Sequence, residues 1–189
     1  MSTVLFSNES SSLWCIENYA DIPMNVLKEL PLMQRPEIVV YGRICHQKRN
    51  VGFFSDVTKS YPYSGRAAPA VPLTLELKAI MEQVNRDFSY DFNSVLVNHY
   101  SSGEDVIGAH SDNEATLSSG VVAGIAFGVE RIFRIREKSS KKIVYDHHRK
   151  PKSLVVMDGK FQQQFTHEIP VQKKVVEKRI SLTFRKHKA

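Results

Sequence analysis

RISLTFR, residues 179 to 185, reads as a strand with two usable faces. Side chains alternate along a strand, so Arg179, Ser181, Thr183 and Arg185 line one face and Ile180, Leu182 and Phe184 the other. If the polar face points inward, two guanidinium groups enter the interior and need acidic partners or an anionic ligand, because an unmatched buried charge is costly. A small dicarboxylate would meet that need, since the guanidinium fork makes paired, charge-assisted bonds to a carboxylate. If the polar face points to solvent, this is an ordinary edge strand with its apolar residues buried. The spacing leaves both readings open.

The segments ahead of it set the fold class. SVLVNHY (94–100), VVAGIAFG (121–128), RIFRIRE (131–137), KKIVYD (141–146), SLVVMDG (153–159) and the segment around FTHEIP (165–170) are short, partly β-branched or aromatic, and separated by turns, as strands are. Upstream, LTLELKAIMEQVNRDF (73–88) repeats Leu73, Leu77, Ile80, Met81, Val84 and Phe88 at helical spacing, which predicts one packing stripe, with Pro72 near the first turn. From Ile38 to Asp56 the pattern is strand, polar loop (RICHQKRN), strand, and KSYPYSGRAAPAVP (59–72) is expected as a loop. A short helix is predicted from Ala20 to about Leu32, bounded by Pro31 and Pro36. Helices early and at least seven strands later imply a mainly β domain with supporting N-terminal helices, a helix-supported sandwich or barrel-like roll.

Composition agrees with one folded domain over residues 1–189: 42% hydrophobic, 24% charged and no long Pro, Gly or Ser tract. No stretch reaches the roughly 20 apolar residues of a membrane span. The start, MSTVLFSNESSSLWC, lacks the basic and apolar pattern of a secretory signal, so an intracellular address is expected, in nucleus or cytoplasm. Cys15 and Cys45 have neither zinc-site nor redox-pair spacing and are expected as small buried or partly buried side chains. The formal charge of +6 favours a polyanionic partner without proving one.

GAHSDNE (108–114) supplies a candidate metal pair. At a strand end, His110 and Asp112 face one side, and a second histidine would complete a two-His, one-carboxylate set with open positions, the arrangement of non-haem Fe(II) sites. His167, in QQFTHEIP, is the strand-borne candidate. The plainer alternative makes His110 a turn residue, Asp112 a cap and His167 an ordinary strand residue.

The order of VYG and its basic strand-loop-strand, YPYSG, NHYSSGEDVIGAHSD, AFGVERIFRIRE, LVVMDGKFQQQFTH and RISLTFR resembles the AlkB-like Fe(II)/2-oxoglutarate dioxygenases, from about Val40 to Arg185. The resemblance implies a double-stranded β-helix (jelly roll): a helical N-terminal extension over 1–37, a nucleotide-recognition lid over 38–70 and a catalytic core over 71–189. It implies His110, Asp112 and His167 as iron ligands. Asn98 and Tyr100 match the family's NxY, with Tyr100 expected to hydrogen-bond 2-oxoglutarate. Arg179 is expected on the distal carboxylate, and Arg185 near the iron-binding end. Ser181 stands where the family often has asparagine, and a hydroxyl cannot supply two amide donors.

The implied activity is oxidative N-demethylation of alkylated bases (1-methyladenine, 3-methylcytosine) in DNA, with O2 as cosubstrate and succinate, CO2 and formaldehyde as products. The target base must leave the helix stack. Tyr61 and Tyr63 of YPYSG are expected against the extruded base, and Tyr41 of VYG in the gap it leaves. Arg43 and Arg49 are expected as nucleic-acid contacts, with Lys48 beside them. Asn113 replaces a second acidic residue found in family members, near the cationic base. Glu114 is expected to cap or order the lid. HHRKPK (147–152) is read as a solvated hairpin. An RNA demethylase, a protein-directed oxygenase and a non-catalytic jelly-roll binding module are the alternatives; neither a membrane nor an obligate protein partner is expected.

Overall fold

Strand alternation shapes the chain from its first residues. The computed structural model describes residues 1–63 and 66–188, with backbone alone for 61–63, 66 and 67. It opens with a hairpin of β1 (Thr3–Ser7) and β2 (Ser11–Ile16), followed by the short helix α1 (Met24–Lys28). The expected helical extension over 1–37 therefore begins as a strand hairpin and holds only one short helix. SSLWCI carries a period of two, with Ser11, Leu13 and Cys15 buried and the residues between them half-buried, and that period wins over the helical reading.

Next come β3 (Glu37–Val40), β4 (Arg43–His46) and β5 (Asn50–Ser55). RICHQKRN is thus not wholly a loop. Val40 pairs with Arg43 across a two-residue turn in which Tyr41 and Gly42 have φ of 49° and 75°. Two consecutive positive φ values make the tight primed turn that hairpins favour, so the chain reverses at once. Likewise KSYPYSGRAAPAVP forms β6 (Ser60–Tyr63) and β7 (Arg66–Val71), and β6 takes Pro62 at the sheet edge, where a missing donor is harmless.

Helix α2 (Leu75–Phe88) starts at Thr74, whose hydroxyl accepts the Leu77 N–H, so Pro72 lies before the cap and not in the first turn. It ends at Ser89 in the left-handed region. Asn85 then bonds both backbone groups of Phe92, tying the helix to the next strand. The remaining elements are β8 (Ser94–Tyr100), β9 (Ile107–His110), β10 (Val122–Gly128), β11 (Arg131–Glu137), β12 (Ile143–Arg149), β13 (Leu154–Gly159), α3 (Phe161–Gln164), β14 (Phe165–Ile169) and β15 (Arg179–Arg185). Seven of these strands match the segments read from the sequence.

The result is mainly β, with a few helices. One sheet of nine strands runs β1-β2-β13-β10-β15-β8-β5-β7-β6, a second of four runs β12-β11-β14-β9, and β3-β4 stands as a separate hairpin. The central strands of the large sheet are buried on both faces. On one side Val95, Val97, Ile125, Leu154, Val156, Ile180, Leu182 and Phe184 pack under α1 and α2, whose Leu27, Leu77, Ile80, Met81 and Val84 supply the stripe. On the other, Leu13, Val122, Val155 and Met157 meet Phe133, Ile135 and Phe165 of the small sheet. The functional face lies in this second layer, between the sheets.

Candidate metal centre and cosubstrate pocket

Sheet register brings the histidines together. His167 on β14 is the cross-strand partner of His110 on β9, which puts their rings on one face, centroids 4.3 Å apart. Asp112 lies just beyond β9. Its Oδ1 is 3.8 Å from His110 Nε2 and its Oδ2 3.6 Å from His167 Nε2, and the donor atoms of all three lie within 4.8 Å of one another. The structure thus groups the sequence-predicted triad, although Asp112 arrives from the coil after the strand.

Neighbouring groups prepare these side chains for a metal. His110 Nδ1 lies 2.8 Å from the Gly108 carbonyl, so it donates there and leaves Nε2 as the free lone pair. Burial, only partly opposed by Asp112, lowers the His110 pKa; burial and then the charge of His110 hold His167 well below its ordinary value. Both imidazoles therefore favour the neutral, ligating form. Asp112 is buried: its backbone N–H donates to Gln162, its Oδ1 accepts from Arg185, and its Oδ2 has no hydrogen-bond partner among the described residues. A bare carboxylate oxygen facing two neutral imidazoles fits a divalent cation.

The pocket beside the triad is built by β15 against its neighbours. In the β8 and β15 pairing Arg179 is opposite Tyr100 and Ser181 opposite Asn98, so the expected cosubstrate residues form two adjacent rungs. Both faces of β15 are buried, and the sequence ambiguity resolves inward. Arg179 lies 5.2 Å from the Tyr100 ring centroid, and its Nε and Nη1 have no hydrogen-bond partner among the described residues. Arg185, six residues on, binds Asp112 and has Nη1 3.8 Å from Glu114. Guanidinium nitrogens left without partners in a cavity fit a carboxylate of 2-oxoglutarate.

Several contacts depart from the sequence reading. Arg49 is buried, with its Nε donating to Asn98 Oδ1 at 2.6 Å, so it sets the turn of the Asn98 amide inside the pocket and is not a surface phosphate contact. Arg149 is also buried and lines the cavity, whereas HHRKPK reads as solvated. That reading holds for His148, Lys150 and Lys152, which are exposed and pair with Glu130, Glu17 and Asp21. Cys45 is exposed, unlike Cys15. Glu114 sits beside Arg185, and its carbonyl accepts the Leu117 N–H. Sequence reasoning missed Gln162 and Arg149. Only the alternation of Tyr145, His147 and Arg149 on β12 gives a sign of the latter.

The surface residues sit apart from the pocket interior. Tyr41 is fully exposed at the β3–β4 tip, flanked by exposed Val40 and Ile44, with Arg43 exposed next to it. Asn113 is exposed beside the triad. Tyr61 and Tyr63 lie on β6, and their side chains fall outside the described residues.

A His–Asp–His triad next to an arginine-ended pocket, between two sheets, defines a non-haem iron oxygenase. The chain belongs to the 2OG-Fe(II) oxygenase superfamily, whose family model matches residues 5–185, and within it the chain is AlkB-like. It is 32% identical over 161 residues to DNA oxidative demethylase ALKBH2 of Homo sapiens, covering 79% of this chain and 60% of that protein. It is 32% identical over 175 residues to alpha-ketoglutarate-dependent dioxygenase alkB homolog 3 of Mus musculus, covering 84% and 58%. The solved structure of OsALKBH1 shares the fold, with a TM-score of 0.60 at 12% identity, covering 98% of this chain and 100% of that one. The chain spans about 60% of the length of the curated relatives it matches. The triad is of the type with which Fe(II)/2-oxoglutarate dioxygenases work, so Fe(II) and 2-oxoglutarate are the cofactors it fits.

Proposed function

We propose that this protein removes N-methyl groups oxidatively from alkylated bases in DNA, with 1-methyladenine and 3-methylcytosine as substrates. The observation that carries the reading is the grouping of His110, Asp112 and His167 in one pocket with Arg179, whose Nε and Nη1 lack partners among the described residues. Relatives named as DNA oxidative demethylases support the substrate class. So does the exposed apolar tip at Tyr41, which suits insertion between base steps. In this reading the two facing sheets are the halves of a jelly roll, and within residues 38–70 the separate β3–β4 hairpin is the part that serves as recognition lid, since β5 to β7 belong to the large sheet.

Nε2 of His110, Nε2 of His167 and the Asp112 carboxylate would hold the iron. Bound there with 2-oxoglutarate and O2, the iron would supply an oxidation that hydroxylates the N-methyl carbon, one oxygen atom entering the methyl group and the other entering succinate as CO2 leaves. The protein's own residues position the reactants. Arg185 fixes Asp112 through Oδ1, Gln162 holds the Asp112 backbone, and Arg49 sets the Asn98 amide. Tyr100, Asn98 and Ser181 orient the cosubstrate along β8 and β15, and Arg179 receives a carboxylate. The hydroxymethyl product then loses formaldehyde, which needs no enzymic nucleophile.

The test is release of formaldehyde and repaired base from methylated oligonucleotides, read by mass spectrometry, with Fe(II) and 2-oxoglutarate supplied or withheld. Product that requires both, and that is lost in His110→Ala and Asp112→Ala, is the expected result. Turnover in either variant would remove the ligand assignment. Comparing duplex DNA, single-stranded DNA and RNA ranks the substrates, and activity on RNA alone would replace the DNA reading.

A further inference from the structure

Arg149 is the buried charge that the roles above do not use. It ends β12, the edge strand of the small sheet, and its side chain is turned into the space between the sheets, 6% exposed. Its Nε and Nη2 have no hydrogen-bond partner among the described residues. The guanidinium is 5.8 Å from the Phe133 ring centroid, and no carboxylate pairs with it among the described residues. Gly124 of β10 makes its seat, since a Cβ there would stand 3.1 Å from Arg149 Nη2. Arg149 and Arg179 line the same cavity, and each carries two orphaned guanidinium nitrogens.

Arg131 provides the control within the same fold. It is the register partner of Arg149 across β11 and β12 and is also buried. Its nitrogens are spent on Gln172 and on the carbonyls of Ser102, Gly103, Asp105 and Pro170. That is how this protein treats a structural arginine. Arg149 and Arg179 instead keep donors turned into a cavity, as an anion site requires.

We infer that Arg149 is a second cosubstrate-binding arginine, which with Arg179 clamps the distal carboxylate of 2-oxoglutarate so that the carboxylate meets a guanidinium from each sheet. The inference rests on the cosubstrate reading of the pocket. Burial, and next the charge of Arg179, push the Arg149 pKa down to about 9, so the group is still a cation at neutral pH. A dicarboxylate relieves both that desolvation and the repulsion between the two guanidinium groups. Selectivity for a 2-oxo acid with a distal carboxylate then depends on two residues.

The experiment uses the full chain loaded with Mn(II), which holds the triad without turnover, and calorimetric titration with two acids. One is 2-oxoglutarate; the other is 2-oxopentanoate, identical except for a methyl in place of the distal carboxylate. Arg149→Met is expected to weaken 2-oxoglutarate at least about tenfold, which is about 1.4 kcal/mol, and to leave 2-oxopentanoate within about twofold. Arg149→Lys, which keeps the charge and loses the fork, should fall between. Gly124→Ala, which displaces the guanidinium without removing it, should weaken 2-oxoglutarate selectively as well, and so covers a misfolded Met variant. Equal weakening of both acids, or none of either, overturns the inference. A wild-type protein that holds Mn(II) and binds no 2-oxoglutarate overturns the cosubstrate reading, and this inference with it.

Discussion

Arg131 and Arg149 face each other across β11 and β12, both buried, and only Arg131 has its donors matched by acceptors. Arg131 ties together the loop 102–105, Pro170 and Gln172. Replacing it with Met would leave those acceptors buried and unmatched. The expected cost is about 1–3 kcal/mol, the range for a buried polar group left unsatisfied, read as a lower denaturation midpoint at an unchanged slope. A midpoint within error of the parent would show that the loop finds other donors.

Arg185 holds one oxygen of Asp112 and leaves the other for the metal. Arg185→Met is expected to weaken Mn(II) binding about 10–100-fold, the usual range for a lost partner of a metal ligand. Calorimetric titration of the metal alone reads this without turnover. Undiminished affinity would mean that Gln162 and the backbone suffice to aim the carboxylate.

His187 gives a pH signature. It is buried beside Phe53, with Nδ1 2.7 Å from the Ser94 hydroxyl, and Arg185, Glu114 and Asp112 are the charged groups that influence it. Burial first, and then Arg185, lower its pKa from 6.5 to about 4. Between those values the unfolded chain takes up a proton that the folded chain refuses, so stability falls as pH drops from 6.5 towards 4. His187→Gln should remove that part of the loss, about 3 kcal/mol at pH 4. Parallel stability profiles for parent and variant over that window would count against the depressed pKa.

Tyr41 is fully exposed at a position with φ of 49°. Tyr41→Gly takes away the ring and suits the turn, so stability should hold or rise slightly. Methyl removal from duplex DNA should fall about tenfold relative to single strands, the scale of one lost stacking contact. Equal losses on both substrates would argue that the tip does not enter the duplex.

Much of this fold is legible because strand and helix periods show wherever one face is apolar. The stripe of α2 and the alternation of RISLTFR pass directly into packing, and the triad is legible from the two-residue spacing of His110 and Asp112 together with the family-like order of the motifs. The errors have a shared cause. Arg49 and Arg149 lie in basic runs, and a charge run looks the same whether every member is solvated or one turns inward. What separates them is three-dimensional: the Asn98 amide that accepts from one, the room left by Gly124 for the other. SSLWCI carries its own alternation, whereas RICH forms a strand because a partner and a tight turn receive it, information that lies outside the segment itself.

β15 also joins assembly to competence. A slip of one residue in its pairing with β8 would push Ile180 and Leu182 into the ligand cavity and drive Arg179 into the oily layer beneath α2. In a strand that carries no site residue, a register error is a fault of stability alone. In this strand every misaligned state would lose both its core and its chemistry, so a chain that has found the right register has, by the same event, assembled its pocket.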